Sequence, residues 1–186
     1  MFKYIGGLSI LIALALGTAY MMSPSPAAAA SATEIDRSVN SVLKKLYKAM
    51  PAAKTLSGHA KGILVFPSIV KAGFMVGGQY GEGALQKGSK TVAYYNTVSF
   101  SYGLQIGAQE YGYALFFMTD SALKYLDRSD GWEVGVGPSV VVVDEGMAKS
   151  MTTTTARDEI YAFIFQQKGL MAGMGLQGTK ITKIEK

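Results

Sequence analysis

Few side chains in this sequence are of the types that carry out acid–base, nucleophilic or metal chemistry. His59 is the only histidine in 186 residues, and the chain contains no cysteine. One imidazole without thiolates cannot assemble a zinc site of the usual ligand types. A catalytic triad is set by geometry rather than by order, but no serine lies in a nucleophile elbow. We therefore predict that the protein is not an enzyme and has no cofactor or metal.

Two further patterns could bind ligands, and ordinary structural roles explain both of them. The acidic pairs Asp144–Glu145 and Asp127–Asp130 lie in no recognisable calcium loop, so they are expected to be turn residues. Gly173, Gly175 and Gly178 have the spacing of a dinucleotide-binding loop. Only eight residues follow Gly178, which leaves no room for the helix and second strand that this motif requires. These glycines are expected to let strands coil instead.

An amphipathic helix is predicted from Glu34 to Met50, because apolar residues recur there at intervals of three and four. These residues are Ile35, Val39, Val42, Leu43, Leu46, Tyr47 and Met50. Thr33 is the expected N-cap. Pro51 is expected to end the helix and to begin a linker of small residues that reaches about His59.

Three lysines crowd the C-terminal half of this helix: Lys44, Lys45 and Lys48. Such cations attract lipid phosphates, while Leu43, Leu46 and Tyr47 could enter the acyl boundary of a membrane. The alternative is that the apolar stripe packs on a sheet and the lysines are simply solvated. The pattern of residues leaves both interpretations open.

The segment 61–83 predicts a strongly bent antiparallel sheet. Ile63 to Phe66 form a short apolar run that Pro67 is expected to end, because proline lacks the N–H that a central strand needs. A second strand is expected from Lys71, where apolar residues alternate with glycines that permit bulges or close backbone approach. Lys61 and Lys71 flank the first strand. They could extend a basic surface or protect an exposed strand edge from pairing.

The remaining chain predicts more strands around one short helix. Strands are expected at 91–98, 99–109, 111–118, 132–137 and 140–143, and a helix at 120–128. Residues 160–165 are apolar on both faces, which indicates a closed barrel or a sheet covered by a helix. The predicted fold is α+β, a single domain over 33–186 with a curved, nearly closed antiparallel sheet.

Four ordered segments resemble the SYLF domain, a lipid-binding module found in secreted bacterial proteins and in eukaryotic trafficking proteins. The segments are ILVFPSIVKAGFMVGGQYGEGAL at 63–85, TVAYYN at 91–96, YGLQIGAQ at 102–109 and GLMAGMGLQGTKI at 169–181. The resemblance implies binding of acidic phospholipids through an N-terminal amphipathic helix and basic surface residues. It also admits a protein partner, because some fungal members are associated with actin.

The first thirty residues predict an export signal. Lys3 precedes an apolar run from Ile5 to Leu16, and small residues with an A-x-A pattern follow, so cleavage is expected near Ala30 or Ala32. An uncleaved anchor is the alternative, because the apolar stretch is almost long enough to span a bilayer. Loss of Lys3 lowers the net charge from +5 to +4. That modest excess suits membrane phosphates better than nucleic acid.

The predicted function is therefore non-enzymatic binding of anionic phospholipid by an exported, peripheral protein of a periplasm or cell exterior. Lys44, Lys45 and Lys48 would attract headgroups, and Lys61 and Lys71 would add to their field. One alternative is a structural or protein-interaction module of the envelope, which would be favoured by a packed helix stripe and a separate exposed apolar patch. Another is a carrier that holds a lipid tail within the sheet.

Overall fold

The computed structural model describes residues 29–128, 130–143, 147, 157–169, 176 and 178–186. Its architecture confirms the predicted α+β class, with N-terminal helices on a mostly antiparallel and strongly curled half-barrel sheet. The helices are α1 (Ala32–Ala49), α2 (Pro51–Ser57) and α3 (Asp120–Leu123), and a 3₁₀ turn covers Lys124–Asp127. The strands are β1 (Gly62–Lys87), β2 (Lys90–Phe117), β3 (Trp132–Glu133), β4 (Val140–Val143), β5 (Ile160–Gly169) and β6 (Lys180–Ile184).

Helix α1 begins two residues earlier than predicted, and its cap is Ser31 rather than Thr33. The Ser31 hydroxyl accepts from the Glu34 backbone N–H, and the Glu34 carboxylate accepts from the Ser31 backbone N–H. This reciprocal capping box satisfies two N–H groups that the first turn would otherwise leave unpaired. Pro51 ends α1 as predicted, but the expected linker is wrong, because Pro51 also begins α2. Proline suits that first helical position, where no N–H is needed.

The sheet is built around one long bent hairpin, β1 with β2, rather than the separate short strands predicted from the sequence. The prediction that Pro67 ends its strand is wrong. Pro67 and Ser68 lie in a bulge opposite Gly112, between the Phe66–Tyr113 and Ile69–Tyr111 pairs. A residue in a bulge does not need to donate to the ladder, so the missing N–H of proline costs no hydrogen bond there. The bulge also bends the strand at the same point.

The two halves of β1 curl back until their backbones nearly touch. An added Cβ at Gly83 would lie 2.2 Å from the Val65 carbonyl oxygen, and one at Gly81 would lie 2.8 Å from that of Ser68. A side chain at either glycine would clash with the backbone of the facing segment. Glycine at these two positions therefore permits the curl, as the glycine-rich segment led us to expect.

The outer strands complete the sheet in the order β3-β6-β2-β5-β4, and β1 pairs with β2 outside this path. Strand β4 runs parallel to β5, whereas the other described pairs are antiparallel. The predicted strand at 132–137 shortens to two residues, and the predicted short helix appears as α3 with its 3₁₀ turn. The predicted alternation in 99–109 falls mostly on side chains outside those described, although this stretch is part of β2.

The core has two parts, one on each face of the sheet. Strand β5 shows this directly, because Ile160 and Ala162 face the inner cluster while Tyr161 and Phe163 face the helix-covered cluster. The inner cluster also contains Trp132 and residues of α3, and the outer cluster contains the apolar stripe of α1. The prediction from the two-sided apolar pattern of 160–165 is therefore confirmed.

Several polar side chains at the inner cluster have hydrogen-bond partners. The Tyr111 hydroxyl donates to Oε1 of Gln79 at 2.7 Å, and Nε2 of Gln79 donates to the Thr179 hydroxyl at 3.2 Å. The Tyr113 and Thr97 hydroxyls lie 2.8 Å apart. Burial raises the pKa of Tyr111 to about 12, so its hydroxyl remains a donor at neutral pH. This cluster is filled by ring systems and paired polar groups, which a lipid tail would have to displace.

An ion pair ties the start of α1 to the sheet. Nζ of Lys186 lies 2.9 Å from Oε2 of Glu82 and donates to the Ala30 carbonyl at 2.8 Å, while the Ala30 N–H donates to Glu82. Both charged side chains are only 10% exposed. Burial raises the pKa of Glu82, but hydrogen bonds from Lys186 and Tyr80 outweigh it and hold that pKa below its usual value.

The variant Lys186→Gln is expected to lower the free energy of unfolding at pH 7 by about 1–3 kcal/mol, because the largely buried carboxylate of Glu82 then has no cation to pair with. In the wild type the pKa of Glu82 is lower in the folded state than in the unfolded state. The resulting stability is present above the unfolded-state pKa and is lost as pH falls through the folded-state pKa. Urea unfolding at several pH values measures both effects. Lys180→Gln, at an exposed lysine of β6, is the control. Equal midpoints for the two variants would show that the pair contributes nothing.

Candidate functional site

The outward face of α1 is basic. Lys44, Lys45 and Lys48 are all exposed, as predicted for headgroup contacts. At about 100° per residue, Lys44 and Lys48 align with Arg37, while Lys45 projects from one flank of the same face. Arg37 is also exposed and was missed by the sequence prediction, because it lies two turns before the first of the lysines. Both carboxylates of α1 are engaged elsewhere: Glu34 in the capping box, and Asp36 with Thr91 and Tyr94.

The residues predicted to enter a membrane do not share that face. Leu43 is 5% exposed and Leu46 is 3% exposed, and both pack in the outer cluster against the sheet. Tyr47 is half-buried, with Nζ of Lys54 at 5.1 Å from its ring centroid. Burial raises the pKa of Tyr47, and a hydrogen bond with Ser57 partly offsets the rise. Insertion by these three side chains stays a prediction, and for Leu43 and Leu46 it would require α1 to leave the sheet.

Lys61 immediately precedes β1, and Lys71 lies well within it. Lys61 is exposed and follows α2 closely, and its backbone N–H donates to the Phe117 carbonyl at 2.8 Å. Lys71 is half-buried and pairs with Gln109 beyond the bulge. Ten residues of strand separate the two lysines, which corresponds to roughly 30 Å of extended chain. Because Lys61 follows the end of α2 at Ser57 so closely, it is the one of the two lysines that lies beside the helices.

Charge is distributed very unevenly along the chain. Residues 37–109 contain nine lysines and arginines but a single carboxylate, Glu82. That carboxylate is neutralised by Lys186, which comes from outside this stretch. The basic residues of 37–109 are Arg37, Lys44, Lys45, Lys48, Lys54, Lys61, Lys71, Lys87 and Lys90. This imbalance could have been recognised from the sequence, whereas the neutralisation of Glu82 could not.

A cleft of about 460 Å³ opens where α1, α2 and the turn between β1 and β2 meet. Lys44 and Lys54 line it from the helices, and Gly88 and Ser89 line it from the turn. The turn is tight, with Lys87 paired to Lys90 and Gly88 at a φ of 62°. Among the residues that the structure describes, no carboxylate lines the cleft. Lys54 was not among the predicted site residues, because it lines the same cleft as Lys44 only through the fold.

A separate apolar patch lies on the bent hairpin, formed by Val76, Tyr80 and Phe100. Val76 and Tyr80 lie two residues either side of Gly78, so they share its face of β1. Phe100 pairs with Gly78 from β2, and its ring would be 3.9 Å from a Cβ added there. Phe100 is 76% exposed, and the other two side chains are at least half exposed. This hairpin patch is distinct from the basic face of α1.

The other candidate chemistry has no assembled site among the residues that the structure describes. Within them, no group of three or more His, Asp or Glu could hold a metal ion. His59 is exposed, with Nδ1 3.2 Å from the Thr55 carbonyl oxygen, and Asp130 lies 3.6 Å from Arg128. The pair Asp144–Glu145 and the glycines 173 and 175 lie outside the described residues, as do residues 1–28 of the predicted leader. No helix of the described chain is long and apolar enough to cross a membrane.

A family model described as Ysc84, Las17-binding protein actin regulator, matches residues 98–186. Residues 98–186 are thus similar to the Ysc84/SYLF domain. This confirms the family predicted from the sequence, which is linked to lipid binding and actin regulation and is generally non-catalytic. The match begins within β2, so the basic helices and β1 precede the matched SYLF region. No curated protein matches this sequence.

Proposed function

We propose that this protein binds anionic phospholipid at a cell-envelope membrane without catalysing a reaction. The observation that carries the proposal is the excess of positive charge in residues 37–109, much of it presented by α1, α2 and the adjacent turn. Each lysine or arginine near an anionic surface contributes about 1 kcal/mol of attraction. The link of the Ysc84/SYLF family to lipid binding supports the same function.

The magnitudes favour binding with α1 in place over insertion of α1. Insertion would move the five buried α1 side chains into lipid but would leave in water the apolar sheet residues beneath them, among them Ile63, Val65 and Phe116, at about 1.5–3 kcal/mol for each such side chain. Attraction of the three α1 lysines, about 3 kcal/mol in total, falls well short of that cost. We therefore propose that the helix docks by its charged face, while Leu43 and Leu46 remain in the core.

We also propose that the protein is exported and attached peripherally. The basic start, apolar middle and small-residue exit of the first thirty residues support export. Attachment by charge alone is reversible and weakens as salt rises. The membrane partner would therefore be an anionic leaflet of the envelope rather than nucleic acid, which calls for denser basic clustering.

A protein-interaction role is the second candidate, and a specific observation favours it. The apolar stripe of α1 is packed, while the hairpin patch of Val76, Tyr80 and Phe100 is exposed. Exposed apolar patches commonly mark contacts with other proteins or with membranes. The description of the matched family as an actin regulator supports a protein partner for this domain.

Sedimentation with vesicles tests the lipid proposal. The protein is expected to pellet with vesicles that contain phosphatidylglycerol and to stay in solution with pure phosphatidylcholine vesicles. Raising the salt from about 0.1 M to about 1 M shortens the Debye length from about 10 to about 3 Å, which should release the bound protein. Equal pelleting with both vesicle types at low salt would contradict the proposal, and salt-resistant binding would point to the hairpin patch.

A further inference from the structure

The cleft between α1, α2 and the β1–β2 turn has the charge of an anion site. Lys44 and Lys54 line it from the helices, and the turn residues Gly88 and Ser89 form its opposite wall. The closest carboxylate of α1 in sequence, Asp36, is held by the Thr91 hydroxyl at 2.7 Å and by the Tyr94 hydroxyl at 3.1 Å. Its charge is therefore directed at β2 and not at the cleft.

The C-terminus of α2 opposes the positive charge of the cleft, but only weakly. Ser57 and Gly58, at the C-terminus of α2, also line the cleft. A helix C-terminus carries a partial negative charge of roughly one half. The N–H groups of Gly58 and His59 already bond to the last carbonyls of α2, which reduces that effect. The two lysine charges that line the cleft outweigh it.

The size and polarity of the cleft suit a compact polar group. Its volume of about 460 Å³ lies within the usual range of small-molecule sites. Asn40, Gln86 and Ser89 offer side-chain hydrogen-bonding groups, and Leu43 and Ile63 form an apolar floor. The Gln86 amide donates to Oδ1 of Asn40 at 3.0 Å, which fixes the wall between helix and strand. Lysines bind phosphate as point charges without strict geometry, so a cluster of them suits a group of high charge density.

We propose that this cleft binds a phosphate monoester, whose two negative charges at neutral pH match the two lysines that line it, Lys44 and Lys54. The group could belong to a phospholipid headgroup or to a soluble phosphate ester. This inference rests on the proposed binding of anionic lipid and deepens it, because it separates one defined site from general attraction to the surface.

Two double variants test the site. Lys44→Gln with Lys54→Gln removes the lysines that line the cleft, and Lys45→Gln with Lys48→Gln removes two exposed lysines that do not line it. Both variants lose the same net charge. On phosphatidylglycerol vesicles, which display a phosphate diester, both are expected to weaken binding about thirtyfold. On phosphatidic acid vesicles matched in surface potential, the cleft variant should lose at least about tenfold more than the control.

A soluble probe distinguishes the two sources of the group. Glycerol 3-phosphate added to the ¹⁵N-labelled wild type should shift the amide resonances of Gly88 and Ser89, and sodium chloride at equal ionic strength should not. The shifts should persist in the control variant and vanish in the cleft variant. Shifts without any binding to anionic vesicles would disprove the lipid function but support a soluble ester. Vesicle binding that both variants weaken equally on phosphatidic acid, with no shifts, would overturn the cleft site alone.

Discussion

Replacement of Lys44, Lys45 and Lys48 by glutamate is expected to abolish binding to anionic vesicles. Three attractions of about 1 kcal/mol each are lost, and repulsions of similar size replace them. The loss of attraction alone corresponds to a decrease in affinity of more than a hundredfold. All three side chains are exposed, so the substitutions leave the core unchanged. Vesicle sedimentation at low salt measures the effect, and circular dichroism checks that α1 is retained.

A matched charge reversal elsewhere separates a local surface from net charge. Lys124, Lys168 and Lys180 are exposed, and none of them belongs to α1 or α2. Their replacement by glutamate changes the net charge by the same amount. This control is expected to keep most of the vesicle binding. An equal loss in both triple variants would mean that binding follows total charge and that the basic face of α1 has no special role.

The same α1 variant also separates the two candidate functions. A partner protein that binds the hairpin patch makes its contact through Val76, Tyr80 and Phe100, so the α1 reversal should leave it intact. Phe100→Ser should have the opposite effect, with vesicle binding preserved and partner binding lost. Loss of vesicle binding in Phe100→Ser would instead assign the apolar patch to the membrane.

The variant Gly83→Ala is expected to destabilise the protein by about 3 kcal/mol or more. Overpacking a core usually costs about 1–3 kcal/mol, and the cost rises when the obstructing atoms cannot move. Here the new methyl would meet the Val65 carbonyl oxygen at 2.2 Å and a ring carbon of Phe66 at 2.7 Å. Val65 is held in the β1–β2 ladder opposite Ala114, and Gly83 opposite Tyr95, so relief requires the ladder to open at one of these two places.

Gly58→Ala is the control for this substitution. Gly58 has a φ of −72°, and its added Cβ would lie 3.6 Å from the Thr55 carbonyl oxygen, an ordinary contact. Alanine there should change stability by less than about 1 kcal/mol, and the smaller entropy of the unfolded chain favours an increase. Urea unfolding measures both variants. Similar midpoints would show that the curl of β1 does not require glycine at residue 83.

Helix α1 and its caps show how far local pattern carries a prediction. The stripe from Ile35 to Leu46 predicted the helix correctly, because its periodicity directly reflects burial on one face. The cap was misplaced by two residues, although Ser31 and Glu34 have the spacing of a capping box. The seven-residue α2 was missed, because so short a segment has too little periodicity to distinguish a helix from a linker.

Pro67 shows where a correct local rule led to a wrong prediction. Proline cannot donate to a strand ladder, but the rule does not say whether the ladder continues past a bulge. The continuation depends on Gly112 of β2, which lies opposite the bulge and is distant in sequence. The glycines that follow Pro67 were correctly associated with curvature, because the lack of a side chain is a local property.

The sequence by itself determined the helix stripe, the alternating strands, the glycines that permit curvature and the excess of lysines before residue 110. These properties depend on residue type and on spacing within one element. Only the tertiary structure decided that Leu43 and Leu46 face the sheet, that Lys186 neutralises Glu82, and that Lys54 lies across a cleft from Gly88 and Ser89. Each of these contacts joins segments far apart in the chain, and their meeting depends on the path of the whole curled sheet, which no local pattern encodes.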